Sequence, residues 1–444
     1  MKSSRPEVCN IVSDVFNDKL NHWEELPAGL GLGLSWNILW TWSKPRIRMN
    51  HLLIWQKVNH YPDSKQLTRK DLLKKNIERY TNLILHGKKI CHEFEIIPHT
   101  FILPHEYTSF VQVFTSIEST KKGNNNNSSH HHHHGLQNFW ILKPIGMSRG
   151  RGISLVKDLS QITYSQQSII QRYIERPLCL QGYKFDLRLY ILVTSFKPLE
   201  AFIYKDGFAR ISTHTYSTDP NLTDDLFIHL TNSSIQHKNL DGINKQGPLA
   251  NTEDDNTDTG GSKISLQGSY GLWSRLMEYQ IDIEALWKSI CILVLKSLVI
   301  VDDKMSNHPC CFEMFGYDVL IDQDLRPWLI EVNASPSLGR LNPLDKRVKE
   351  MMIHDIINIL DPAPYDRVMI VKILEKKLNN ITKNRFVFGR NDPDLEDELH
   401  DILGDYIPRK YGETPKVLGN YQMLCPNTKE YDDILKLKRR IIKS

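Results

Sequence analysis

Glu331 and Asn333 occupy alternate positions in Leu329-Ile330-Glu331-Val332-Asn333, with Ile330 and Val332 as their apolar neighbours. At a period of two, both polar side chains share one face of a strand. Asp318 lies on the preceding segment, and a tight turn at Asp322-Gln323-Asp324 brings that segment alongside. Two carboxylates and an amide oxygen on one sheet face repel unless a cation joins them. Hard oxygen donors that leave coordination positions open are what Mg²⁺ on a nucleotide requires. The same spacing fits equally well the polar outer face of an ordinary antiparallel hairpin.

Other segments carry charge in patterns that suit an anion. Lys143-Pro144-Ile145-Gly146-Met147-Ser148-Arg149-Gly150-Arg151-Gly152-Ile153 follows an apolar strand, and its three glycines let backbone amides approach phosphate. It is neither a P-loop nor a Rossmann fingerprint, and taken alone it reads as a surface turn. Lys184-Phe185-Asp186-Leu187-Arg188 places Lys, Asp and Arg on one strand face, with Arg210 following in Asp206-Gly207-Phe208-Ala209-Arg210. That pattern is either a surface ladder of ion pairs, worth little, or the wall of an anion site gathering Lys143, Arg149, Lys184, Arg188 and Arg210. Thr231 and Asn232 add short hydrogen-bonding groups beside the serines that follow.

The elements that must position these groups are legible from periodicity. Phe139 to Leu142, Leu187 to Thr194 and Leu199 to Tyr204 read as strands, the last two paired. Tyr317 to Ile321 and Pro327 to Val332 read as a hairpin. Asp282 to Val301 reads as a long helix with Ile283, Leu286, Trp287, Ile290 and Val294 toward the core. Thr68-Arg69-Lys70-Asp71 reads as a capping box, followed by Leu72, Leu73, Ile77 and Tyr80 at helical spacing, with the basic residues on the wet face. Lys121 to His134, rich in Asn, Ser and His, reads as an unstructured insertion, and His237 to Gly261 as a polar loop over a site.

With 444 residues the chain is long enough for about three domains. A 40% hydrophobic content and a net charge of +4 exclude a disordered polyelectrolyte, a collagen and a histone-like nucleic-acid binder. The charge is uneven: between Lys44 and Lys89 twelve basic residues face only Asp63, Asp71 and Glu78. That excess of nine favours an acidic partner over a merely solvated face. The last nine residues add Lys436, Lys438, Arg439, Arg440 and Lys443. Seven scattered cysteines without a C-x-x-C spacing indicate neither disulfides nor zinc and fit a reducing compartment. The vicinal Cys310-Cys311 pair reads as core thiols. No signal peptide opens the chain, and the most apolar run, Ile290 to Val301, is too short to cross a bilayer. The expectation is an intracellular soluble protein that binds neither nucleic acid nor membrane.

Taken in order, Trp36-Asn37-Ile38-Leu39-Trp40, Asn59-His60-Tyr61-Pro62, Leu67-Thr68-Arg69-Lys70-Asp71, Trp140-Ile141-Leu142-Lys143-Pro144, the Arg149 to Ile153 turn, Gln171-Arg172-Tyr173-Ile174, Lys184 to Arg188, His229-Leu230-Thr231-Asn232 and Glu331-Val332-Asn333-Ala334-Ser335-Pro336-Ser337-Leu338 resemble the tubulin tyrosine ligase-like family. The resemblance covers about residues 36 to 362. It leans to the polyglutamylase branch, and to its ninth subfamily on the wording around Arg176-Pro177-Leu178 and Asp322 to Trp328.

The resemblance implies an α/β (α+β) ATP-grasp fold of three lobes, antiparallel and mixed sheets flanked by helices. The expected divisions are an amino-terminal lobe over 1–135, a central lobe over 136–230, a carboxyl-terminal lobe over 231–362 and a basic helical extension over 363–444. It implies ATP held by Lys143, Arg149, Gly150, Lys184, Phe185, Asp186, Thr231 and Asn232, with Gln171, Arg172, Tyr173 and Ile174 as the adenine hinge. Mg²⁺ is assigned to Asp318, Glu331 and Asn333. Arg188, Arg210 and Glu331 are expected to act in catalysis. Arg210, Ser233, Ser234, Lys263 and Lys349 are expected to receive the incoming amino acid. The implied reaction adds free L-glutamate to glutamate side chains in acidic tubulin tails through an acyl phosphate. Accessory subunits and a cytoplasmic, cytoskeletal or ciliary location (axoneme or basal body) follow from the same resemblance. A glycine or tyrosine ligase, and a non-catalytic microtubule-associated scaffold, are the alternatives.

Overall fold

The computed structural model describes residues 6–20, 23–26, 33, 35–82, 92–124, 138–146, 150–162, 167–236, 263–382 and 394–443. The low-complexity run beyond Asn124, the loop from His237 to Gly261 and Arg149 lie outside them. The elements used below begin with α1 (Pro6–Lys19), α2 (Lys70–Asn82), β1 (Thr100–Leu103) and α3 (Tyr107–Asn124). Then come β2 (Trp140–Pro144), β3 (Ser154–Val156), β4 (Ser168–Arg172), β5 (Tyr183–Phe196), β6 (Leu199–Tyr204), β7 (Phe208–Ile211) and β8 (Lys263–Ser265). Last are α4 (Ile283–Val301), β9 (Glu313–Ile321), β10 (Pro327–Asn333), α5 (Pro343–Leu360), β11 (Tyr421–Cys425) and α6 (Lys429–Lys443).

The mixed α/β class expected from sequence is observed. One antiparallel sheet runs β1-β4-β2-β3, covered by α3 through Phe110 and Phe114 against Phe101, Trp140 and Ile170. A second, eight-stranded sheet runs β8-β7-β5-β9-β10, with Cys179–Leu180 pairing the start of β5, β6 pairing its far half and β11 pairing β6. A short parallel pair, Ile38–Leu39 with Lys57–Val58, stands apart.

β5 organises the molecule. Its odd positions Phe185, Leu187, Leu189, Ile191 and Val193 enter one core with Ile290, Val294 and Leu298 of α4 and with Leu73 and Ile77 of α2. Its even positions divide in two. Tyr190 and Leu192 pack under Val348, Met352 and Ile356 of α5 and Val8, Ile11 and Val15 of α1. Lys184, Asp186 and Arg188 remain outside that apolar cover, at the end where the two sheets meet. Period-two alternation therefore buries the strand on both faces and leaves one polar window.

The helices begin where local chemistry says they should. The Asp282 carboxylate accepts from the Ala285 amide at 3.0 Å to start α4. The Asn342 side chain accepts from the Asp345 amide at 2.7 Å, with Pro343 at the first turn of α5. α5 ends at Asp361 in the left-handed region, φ +37°.

Three expectations change. Lys65–Thr68 forms its own helical turn, so the Thr68 hydroxyl donates to the Ser64 carbonyl (3.0 Å) and is no cap for α2. The basic residues of α2 do not all face water: Lys74 is 3% exposed, held by Glu78 and Glu106. Residues 363–444 are not only helical, since β11 extends the main sheet and Arg409 clamps the buried Glu200 of β6 at 2.6 and 2.9 Å. The Cys310 and Cys311 thiols are free and buried, as expected. Among the described residues no helix is long and apolar enough to cross a membrane.

Candidate active site

The polar window of β5 is the centre of a charge network laid out by strand register. Arg210 of β7 is the cross-strand partner of Asp186, and its guanidinium grips that carboxylate at 2.6 and 2.7 Å. Asp318 of β9 faces Arg188 and is held by it at 2.6 and 3.1 Å. Arg210 also reaches Asp318 at 2.9 Å, so the four groups form one alternating chain. Thr231 donates its hydroxyl to Asp186. Asp318 and Glu331 are direct partners across β9 and β10, as the alternation in the hairpin predicts, and a bulge follows Asp318. The Asn333 amide donates to Glu331 Oε1 at 3.2 Å. Gly316, opposite Asn333, admits the Pro336 turn: a Cβ there would stand 2.8 Å from the proline ring.

Glu331 has a cation from another element. Lys70, at the start of α2, places its Nζ 2.8 Å from Glu331 Oε2. Burial works to raise this carboxyl, yet Lys70 and then Lys143 hold it well below the usual carboxylate range. Burial pushes Asp318 upward, opposed by Arg188 and Arg210. The sequence pattern alone puts Lys70 on a solvated face. The missed signal was its phase, because Lys70, Leu73, Lys74 and Ile77 fall at i, i+3, i+4 and i+7, the inner stripe of the helix.

Two further lysines, one from the other sheet and one from β5 itself, rest on neutral acceptors. Lys143 of β2 donates to Gln171 Oε1 at 2.7 Å, and Gln171 in turn donates to Thr100 at 2.9 Å. Lys184 donates to the Tyr173 hydroxyl at 2.9 Å and to the His229 carbonyl at 2.8 Å. His229 Nε2 faces the Leu222 carbonyl, so its Nδ1 accepts from Tyr173 at 3.0 Å. Burial and the nearby Lys184 pull His229 down to about 4, which keeps it neutral. Burial, reinforced by Lys70, pulls Lys143 down to about 7. Burial pulls Lys184 to about 8, with Asp186 opposing.

Lys143, Lys184, Asp186, Arg210, His229, Asp318 and Glu331 line one cleft together with Gly150, Thr231, Asn232 and the hinge Gln171 to Ile174. Ile141, Ile153, Leu230, Leu320 and Ile330, drawn from both sheets, give it apolar wall. A flat ring against that wall and an anion over the two lysines would both be satisfied. Gly150 sits at φ +72° with Ile235 close behind it, a conformation that L side chains resist.

The remaining expected residues separate. Phe185 does not line the cleft: alternation turns its ring into the core beside Leu187. Arg172 lines the cleft, with its guanidinium donating to Asn138 (2.9 Å) and Glu175 (3.0 Å). Ser233 opens the short helix Ser233–Gln236 directly after Asn232. Ser234 is the second residue of that helix. Lys263 and Lys349 come together on Asp345, a residue sequence reasoning did not single out. Its i, i+4 relation to Lys349 along α5 was the available signal.

The model of the tubulin-tyrosine ligase family matches residues 46–370. Human tubulin polyglutamylase TTLL5 is 36% identical over 344 residues, covering 74% of this chain and 24% of the relative. Mouse tubulin monoglutamylase TTLL4 is 34% identical over 312 residues, covering 68% of this chain and 23% of the relative. The probable alpha-tubulin polyglutamylase Ttll1 of Tetrahymena thermophila is 34% identical over 367 residues, covering 75% and 80%. The chain thus spans about a quarter of the length of the TTLL5 and TTLL4 relatives and most of the ciliate one.

Proposed function

The chain belongs to the tubulin-tyrosine ligase family, and we propose that it is an ATP-dependent ligase adding glutamate to glutamate side chains in the acidic tails of tubulin. The observation that carries this reading is the pairing of two half-sites in one cleft. Two lysines on neutral acceptors with a partly apolar lining make one, and an arginine–carboxylate chain makes the other. Names of relatives that act as tubulin polyglutamylases agree with it.

In this reading the hinge receives adenine, and Lys143 and Lys184 hold the phosphates. Asp318 and Glu331, cross-strand partners with Asn333 two residues on, supply the hard oxygen donors that fit Mg²⁺. Bound there, the ion would neutralise phosphate charge during transfer. Lys70 and the two arginines balance these carboxylates in the structure as it stands.

The tail carboxylate takes the γ-phosphoryl group and ADP departs. The amine of free glutamate then attacks the acyl phosphate, displacing phosphate and forming an isopeptide bond as the amine loses its protons. Side chains contribute position and charge, since phosphoryl transfer asks little covalent chemistry of them. Arg188 and Arg210 flank the reacting groups, while Lys263 and Lys349 meet the carboxylates of the incoming amino acid. The four-part division of the chain at about 135, 230 and 362, accessory subunits and a cytoskeletal, ciliary location belong to the same proposal.

Purified protein incubated with microtubules, ATP and labelled glutamate, glycine or tyrosine tests it, with mass spectrometry of the tails as readout. Glutamate increments on tail glutamates are expected. Incorporation of glycine or tyrosine alone overturns the glutamate assignment. Microtubule binding with no incorporation leaves the scaffold reading.

A further inference from the structure

Lys263 of β8 and Lys349 of α5 arrive from elements 82 and four positions away in sequence from the group that joins them. Both ammonium groups rest on one oxygen, Asp345 Oδ1, at 2.7 and 2.9 Å. Asp345 is fully buried, and its Oδ2 has no hydrogen-bond partner among the described residues. Both lysines also stand near the Phe208 ring, at 4.7 and 5.6 Å from its centre. Phe208 is two residues before Arg210 and pairs across the sheet with Arg188, so this trio adjoins the arginine chain.

Two like charges do not gather on one oxygen unaided. Without the carboxylate the ammonium groups repel, and the more deeply buried Lys349 is already pulled down to about 8 by burial, with Asp345 opposing. The two lysines are also tied unequally. Lys349 is 6% exposed and additionally donates to the Gly339 carbonyl at 2.5 Å, whereas Lys263 is 15% exposed. A purely structural ion pair gains nothing by leaving a buried carboxylate oxygen bare, which is costly. The spare oxygen makes sense if the pairing is rearranged: one ammonium can leave while Asp345 keeps the other.

We propose that Asp345 is a positioning residue that holds Lys263 and Lys349 side by side for the carboxylate of the incoming amino acid and releases Lys263 to it. This rests on the assignment of both lysines to that substrate. The trio carries one net positive charge, which matches a single carboxylate.

The test is calorimetric binding of free glutamate to the full chain in the presence of a non-hydrolysable ATP analogue. Asp345→Asn, Lys263→Met and the double variant are compared. Asp345→Asn is expected to weaken glutamate about tenfold or more while binding of the analogue stays within about twofold. Lys263→Met should weaken it similarly, and the double variant should be no worse than either single one, because Asp345 acts through the lysine. Glutamate affinity unchanged in Asp345→Asn overturns the proposal. So do additive losses, or an equal fall in analogue binding, both of which mark a structural role. If Asp345→Asn does not fold, Lys263→Met still decides, since unchanged affinity there removes the group through which Asp345 acts. Wild type that binds the analogue but no amino acid overturns the underlying assignment and this proposal with it. Wild type and Asp345→Asn that bind glutamate equally overturn this proposal alone.

Discussion

Two sets of cations in and around the cleft, one wall each in chemical terms, are held in different ways. Lys143 and Lys184 are pinned by an amide oxygen, a phenol and a backbone carbonyl. Arg188, Arg210, Lys70, Lys263 and Lys349 are pinned by carboxylates. A neutral acceptor fixes a lysine's direction without pairing its charge with an opposite one, so whatever positive charge the first wall carries is left for a polyanion. A carboxylate fixes direction and also cancels charge, so the second wall is nearly balanced and selects by geometry. In the proposed reading the first wall takes the triphosphate, and the second takes small carboxylates that are oriented and then released.

The largest effect should come from breaking the balanced wall at its metal end. Glu331→Gln removes a hard donor and leaves Lys70 without its carboxylate. We expect kcat to fall about 10³-fold while affinity for metal-free nucleotide changes little. Ligation that survives Glu331→Gln would show that the metal is held elsewhere. On the other wall Lys184→Met should lower nucleotide affinity about 10²-fold, because the lysine's charge meets phosphate with no internal carboxylate bonded to it. A fluorescent nucleotide titration reads this, and free-glutamate affinity should stay unaltered. A variant that loses both affinities together would erase the distinction between the walls.

Proton linkage gives a smaller and more selective test. Burial pulls Lys143 down to about 7 and Lys184 to about 8, both below the ordinary lysine value. A bound triphosphate favours their charged forms, so binding must take up protons above about pH 7, and apparent affinity must fall as pH rises. At about pH 8.5 we expect uptake of roughly one proton or more, and a weakening of up to about tenfold per pH unit for each proton taken up. Calorimetry in buffers of different ionisation enthalpy measures the uptake. Arg188 and Arg210 cannot contribute, since guanidinium stays charged throughout this range. No uptake would mean that the two lysines are already protonated before the nucleotide arrives.

Much of the balanced wall could be read from the chain because strand alternation is a short-range rule. Asp186 and Arg188, and then Glu331 and Asn333, each needed only their neighbours to be placed on a common face, and Lys184 of the first wall came with them. The hairpin turn made Asp318 and Glu331 partners. What escaped the sequence depends on distant chain. Tyr421–Cys425 joins β6 only after the chain has passed through α4 and α5, and five residues carry too little pattern to announce it. Asp345 could be linked to Lys349 by helical period, but Lys263 comes from another sheet edge altogether. Phe185 was misplaced for a simpler reason. It belonged to a contiguous motif, and contiguity outweighed the alternation that turns every second side chain away.

The smallest effect concerns the basic stretch from Lys44 to Lys89, where the structure separates residues that charge counting had grouped. Lys70 turns into the cleft, Lys74 is buried against Glu78 and Glu106, and Lys57 donates to the Pro309 carbonyl. Lys88 and Lys89 lie outside the described residues, while Arg46, Arg48, Lys65 and Lys75 are exposed. Only the exposed group can meet an acidic tail at long range, and such attraction is screened by salt. Arg46→Glu with Arg48→Glu should therefore weaken binding of a glutamate-rich tail peptide by about threefold to tenfold at low salt, with the difference gone near 0.5 M. Lys74→Ala should do the reverse: tail affinity unchanged, but a melting temperature lower by several degrees, because two carboxylates lose their buried partner. If Lys74→Ala instead weakens the tail and leaves melting untouched, the inward lysines belong to the docking surface after all. The balanced wall would then extend through α2 to the protein's outer face.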